Sequence, residues 1–175
     1  MNRLRKAIAG MAICMASLGV AHAQEQIMSD YDHNTNFSRY KTYSWQKVDA
    51  PDEVWESRLK STVDAQLAAK GWTRVDAGGD AVIIAEGNMG EAAAQERVGG
   101  GGWGPGWGAG WRWRGWTEPV DYNQGILVID ILDGTNKALI WRSFASENVS
   151  SKEEKSIDKL DKAVVKLFKN FPPKN

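Results

Sequence analysis

Between Gly99 and Trp116 the chain reads GGGGWGPGWGAGWRWRGW, and these eighteen residues hold nine of its 18 glycines and five of its 9 tryptophans. Glycine loses the most backbone entropy on ordering and brings no side chain to a core. The stretch therefore cannot form an ordinary core strand or helix. It nevertheless concentrates aromatic surface beside two cations, Arg112 and Arg114. Tryptophan and arginine on an adaptable backbone suit a surface that meets a membrane interface, a sugar or another protein.

The N-terminus carries Arg3, Arg5 and Lys6, an apolar run from Ala7 to Val20, and Ala21-His22-Ala23. A basic start, a short apolar middle and an A-x-A site are the parts of a secretory signal peptide. The run of about fourteen residues is too short for a spanning helix. Cleavage is expected after Ala23, leaving residues 24–175 as one domain and an exported protein of the periplasm or outer-membrane periphery. A lipid anchor at Cys14 is disfavoured, because Ile13 stands where a small residue is needed.

Processing at that site removes the only cysteine, and with it disulfides, thiol nucleophiles and thiolate metal sites. It also leaves 19 basic against 22 acidic residues, a net of −3. An acidic exported domain is a poor candidate for nucleic acid, whose binding rests on phosphate neutralisation.

Two short strands are expected at Gln26–Asp32 and Lys41–Gln46, rich in Tyr, Thr and Trp and joined by a polar turn. Trp55, Leu59, Val63 and Leu67 recur every four residues, predicting a helix from about Asp52 to a stop at Gly71. Val82–Glu86 reads as a strand. Ile126–Leu132 reads as a central strand covered on one or both faces, returning through Asp133-Gly134-Thr135-Asn136 as Ala138–Ala145. A last helix carries Ile157, Leu160, Val164, Leu167, Phe168 and Phe171 on one stripe. Ser151 and Glu154 have capping-box spacing ahead of it, and Pro172-Pro173 ends it.

These elements predict an α+β two-layer sandwich, with a mixed or antiparallel sheet and two amphipathic helices on one face. A Gly/Trp-rich loop over about residues 88–122, with at most a brief helix at Glu91–Val98, would interrupt it. Loops of that length are uncommon and usually functional or disordered. This one would leave the end of one strand and return to the next at one edge of the fold.

Two stretches bear on family. Asp30-Tyr31-Asp32 precedes Phe37-Ser38-Arg39-Tyr40-Lys41-Thr42-Tyr43-Ser44-Trp45, and Gly125-Ile126-Leu127-Val128-Ile129-Asp130-Ile131-Leu132-Asp133 runs into Leu139-Ile140-Trp141-Arg142. In this the chain resembles the bacterial domain-of-unknown-function family numbered 4136, which has an aspartate-led strand, an F-x-x-Y-x-T-Y/F-x-W strand and an L-V-I-D…D…L-I-W-R hairpin. The resemblance covers nearly the whole mature chain except the insert. It implies a small α+β domain of the bacterial envelope, many members being lipoprotein-like, and supplies no catalytic residues. Members often carry glycine and aromatic residues at the insert.

No arrangement names a reaction. Asp30, Asp32, Asn34 and Asn36 alternate like the start of a calcium loop, but Thr35 replaces the glycine and Lys41 the glutamate, so a polar turn is the better reading. His33 is the only mature histidine, which disfavours a zinc or copper site and a catalytic triad. Gly99, Gly101 and Gly104 satisfy G-x-G-x-x-G only in composition, without the strand and helix that bind pyrophosphate. Asp130 and Asp133 could be imagined as a hydrolytic pair. Structural pairing of Asp130 with basic residues such as Lys137 or Arg142 is the stronger expectation. Trp45, Trp55, Trp72 and Trp141 belong by default to the core or its margin.

The expected protein is thus non-enzymatic, without cofactor or metal, and located in the cell envelope. Its interaction loop comprises Trp103, Trp107, Trp111, Arg112, Trp113, Arg114 and Trp116, meeting the membrane surface or an envelope protein. Trp103, Trp107, Trp111 and Trp113 share odd parity, so an extended chain shows all four on one side. The alternatives are a glycan or small-ligand module using stacked tryptophans, and a structural domain whose loop packs on its own sheet. The oligomeric state is open.

Overall fold

The computed structural model describes residues 25–89, 124–148 and 153–173. Six strands, β1 (Gln26–Tyr31), β2 (Thr42–Asp49), β3 (Thr73–Arg74), β4 (Ala81–Met89), β5 (Gln124–Asp133) and β6 (Leu139–Asn148), form one sheet in the order β1-β6-β5-β4-β2-β3. The β1–β6, β6–β5 and β5–β4 pairs are antiparallel, while β2 runs parallel to both β4 and β3. Helix α1 (Glu53–Ala69) crosses from β2 to β3, and α2 (Glu153–Leu167) follows β6.

The helices form where local chemistry favours them. Asp52 adopts extended backbone and its carboxylate accepts the Trp55 N–H at 2.9 Å, an N-cap that satisfies one orphan donor of the first turn. At the other end Gly71 takes φ 83°, its N–H bonds Ala68 O, and the Trp72 N–H reaches back to Leu67 O at 3.0 Å. That is the Schellman pattern, for which glycine has the required left-handed freedom. A single 3-10 turn, Phe168–Asn170, extends α2. The capping box at Ser151 and Glu154 lies outside the described residues.

One stripe of each helix packs on the same sheet face. Trp55, Leu59, Val63 and Leu67 from α1, with Leu160, Ala163, Val164 and Leu167 from α2, share a core with Tyr43, Ile83, Ala85, Leu127, Ile129, Ile131, Trp141 and Ala145. Phe171 seals its margin, edge-on to Phe37, Trp72 and Trp141 at ring distances of 5.1–5.8 Å. Trp55, Trp72 and Trp141 are buried and Trp45 packs against the cluster, so these four rings lie in the core or at its margin.

Three features differ in detail from the sequence reading. The strands at Gln26 and Thr42 are not neighbours, because β1 is an edge strand beside β6 and β2 lies beside β4. Between them the polar turn contains a 3-10 turn, Phe37–Arg39, whose Asn36 cap accepts the Ser38 N–H. Strand β4 runs through Met89, so residues 88 and 89 belong to the sheet and not to the loop. The rest of the expected insert, the Glu91–Val98 helix and the leader segment lie outside the described residues.

Candidate functional site

Met89 and Gly125 are register partners in the β4–β5 ladder. The two roots of the insert therefore lie opposite each other on adjacent strands in the middle of the sheet. The insert joins the end of β4 to the start of β5, two adjacent central strands of the sheet.

Beneath these roots, on the helix-covered side, lies a cavity of about 70 Å³. Gly87, Gly125 and Ala145 form its sheet wall, while Trp55, Leu59 and Leu160 come from the helices. Gly87 and Gly125 bring no side chain to this wall and Ala145 only a methyl group. Lys159 and Glu147 also line it and pair with each other at 3.0 Å. The space suits an apolar group, since its walls are mainly apolar and Lys159 and Glu147 are engaged with each other.

The opposite sheet face carries a second pattern. Cross-strand register puts Val82 beside Leu132, Glu86 beside Val128, Ile126 beside Ser146 and Val128 beside Phe144. Partners share a face, so these residues point away from the helices. In their midst Asp130 accepts Arg142 Nε at 2.6 Å and Nη2 at 2.5 Å. This is the structural pairing expected for Asp130. Lys137 takes no part in it and donates to Gly134 O at 2.7 Å.

The remaining carboxylates that could be considered for chemistry are held by structural donors. Asp133 accepts the Tyr40 hydroxyl at 2.8 Å, the N–H groups of Thr135 and Asn136 at 2.8 and 3.1 Å, and the Arg39 guanidinium. Burial pushes its pKa up, but the backbone N–H of Asn136 and the Tyr40 hydroxyl outweigh that and hold the carboxyl below its ordinary value. Asp64 accepts Tyr43 OH at 2.7 Å, Trp45 Nε1 at 2.9 Å and Arg74 Nη1 at 2.9 Å. Asp32 accepts the Asn34 N–H and the Thr35 hydroxyl, both at 3.0 Å. Its turn is thus tied internally, in the manner of an Asx turn rather than a cation loop. Among the described residues, no group of three or more His, Cys, Asp or Glu side chains could hold a metal.

The expected interaction residues Trp103, Trp107, Trp111, Arg112, Trp113, Arg114 and Trp116 lie outside the described residues. What sequence reasoning did not reach is the surface around their roots. The cavity depends on which small residues the register brings together, and no local pattern reveals that. The second apolar face had a signal, because both alternating sets of β5 are apolar. That composition marks a strand covered on two sides.

Six mixed strands with two helices packed on one face define an open α+β sandwich, a scaffold whose central β4–β5 connection carries a long insertion. The chain belongs to DUF4136, a domain family of unknown function, whose family model matches residues 27–173. PelC from Paraburkholderia phytofirmans, solved as a dodecamer, has the same fold at 10% identity and a TM-score of 0.54, covering 87% of this chain and 100% of PelC. A PDZ domain protein from Parabacteroides distasonis is similar at 14% identity and a TM-score of 0.55, over 87% of this chain and 37% of its own. No curated protein matches the sequence.

Proposed function

We propose that this is an exported, non-enzymatic protein of the bacterial cell envelope whose insert contacts the membrane interface. The contact residues lie among Trp103, Trp107, Trp111, Arg112, Trp113, Arg114 and Trp116. Tryptophans seek the headgroup layer and arginines meet lipid phosphates. The observation that carries this reading is the pairing of Met89 with Gly125, which roots both ends of the insert on adjacent central strands. A contact segment rooted there is displayed from a rigid base while its own sequence stays adaptable.

Other features support the same reading. The carboxylates described above are engaged by structural donors, which leaves them poor candidates for acid–base work. The cavity beneath the roots is mainly apolar, which favours a lipid over a glycan, because sugars need several fixed polar partners. No helix among the described residues is long and apolar enough to cross a membrane, so the association proposed is peripheral. The dodecameric assembly of PelC raises self-association as a companion property, to be read from the mass of the purified protein.

The test is flotation of the mature protein with vesicles of phosphatidylethanolamine and phosphatidylglycerol, beside an R112A/R114A/W116S variant. Flotation of the intact protein that weakens with salt, and that the variant loses, is the expected result. If the intact protein stays in solution at low salt, the membrane reading fails and a protein partner takes its place.

A further inference from the structure

Gly87 stands in a central strand for no reason that the fold itself supplies. It does not take the left-handed backbone of Gly71 and Gly78, and the β4–β5 ladder passes through its pairing with Leu127 without a shift. A Cβ added there would meet only Asp49 O and Leu127 Cδ1, both at 3.9 Å, which is ordinary contact. Alanine would therefore fit, and glycine weakens a strand interior relative to it. What a strand glycine offers instead is room for another group to approach closely.

That room belongs to the cavity beneath the roots of the insert. Leu127 has Gly87 on one side and Ala145 on the other, and in the next row Gly125 pairs with Glu147. Alternation along β6 puts Glu147 on the helix-covered side with Trp141 and Ala145. A carboxylate thus ends an otherwise apolar row, where Lys159 of α2 meets it at 3.0 Å. Both line the cavity, yet the glutamate side chain is 30% exposed and the lysine 36%, which sets the pair at its mouth.

Size and charge together select a ligand. A dry cavity of about 150 Å³ accepts benzene, so one of about 70 Å³ takes about three carbons, the isopropyl end of a branched side chain rather than a ring or the length of an acyl chain. A ligand with a single charge would meet only one of Glu147 and Lys159. One that carries both signs exchanges with the ion pair as a whole, and charge-assisted hydrogen bonds at both ends fix its orientation. An α-amino acid bears its ammonium and carboxylate on the carbon next to its side chain.

We propose that this cavity binds a free branched-chain aliphatic amino acid, with its ammonium on Glu147, its carboxylate on Lys159 and its side chain against Gly87, Leu127 and Ala145. The membrane reading rests on the insert, so the two stand separately.

The test is titration of the mature protein, methyl-labelled at leucine and alanine, with L-valine and L-leucine, read from the NMR shifts of Leu59, Leu160 and Ala145. Saturating shifts are expected with both. Glycine, L-phenylalanine and the uncharged N-acetyl-valinamide should each bind at least about tenfold more weakly. Gly87→Ala should weaken valine binding by about tenfold while raising the melting temperature by about 1–4 °C, because it fills the cavity and stiffens the strand. Lys159→Met should also weaken binding and leave the melting temperature nearly unchanged, since a half-exposed ion pair adds little stability. Absence of saturating shifts, equal binding of N-acetyl-valinamide, or a Gly87→Ala variant that binds like the parent would each overturn the proposal.

Discussion

Asp130 and Arg142 face each other across β5 and β6 as a two-pronged ion pair, with Nε–Oδ1 at 2.6 Å and Nη2–Oδ2 at 2.5 Å. The aspartate is 4% exposed as a whole residue, and the arginine side chain 21%. Placing two charges on an otherwise apolar sheet face costs desolvation, which only the close geometry repays. The pair therefore fixes the register of two central strands more than it adds net stability.

Removing one partner should be far worse than removing both. Arg142→Met leaves a buried carboxylate alone and is expected to cost about 3–5 kcal/mol, whereas Asp130→Leu combined with Arg142→Met should lie within about 1 kcal/mol of the parent. Urea unfolding of the single and double variants measures the difference. A single variant as stable as the parent would mean that the carboxylate sits in water.

Acid should unfold the protein through its turn carboxylates. Asp133 is held below its ordinary pKa by its donors despite burial, and Asp80 by the N–H groups of Lys41 and Thr42. A depressed folded pKa contributes stability above the unfolded value of about 3.9, which is lost as pH falls through the folded value. The melting temperature should thus drop below about pH 4, with a shallower slope in Asp133→Asn, which keeps an acceptor for the turn. At the alkaline end Tyr40, pushed up to about 12 by burial and by the Asp133 carboxylate, works in the opposite sense. Its stabilisation is present below about pH 10 and disappears as pH rises toward 12. A pH series of melting curves reads both limbs.

Ser143 offers a gain. Its residue is fully buried on the helix-covered face, and among the described residues its Oγ has no hydrogen-bond partner. An unsatisfied buried hydroxyl costs about 1–3 kcal/mol. Ser143→Ala should therefore stabilise by about 1 kcal/mol, raising the melting temperature by roughly 2–4 °C. A loss of stability would reveal a bound water that completes the hydroxyl's bonding.

Periodicity made the helices legible: Leu59, Val63 and Leu67 repeat at the spacing that places them on one face, and all three are buried there. Central strands were legible for the same reason, and Gly71 marked the end of α1 through the backbone angle it alone adopts easily. Strand β3 was not legible, because Thr73–Arg74 is two residues long and owes its state to pairing with Thr42 and Tyr43. The separation of β1 from β2 is equally non-local. Of the site, the composition of Gly99–Trp116 was visible at once, and the apolar second side of β5 was written in Ile126, Val128 and Leu132. That Gly87, Gly125 and Ala145 would open a cavity beside the roots depends on strand register, which no stretch of sequence carries by itself.

The pairing of Met89 with Gly125 makes the β4–β5 junction a socket. Closing a loop between ends already held together becomes dearer by only about 0.6 kcal/mol for each doubling of its length. Inserts of very different size can therefore be exchanged at this point without disturbing the six strands. A scaffold built this way can change what it meets while keeping how it folds.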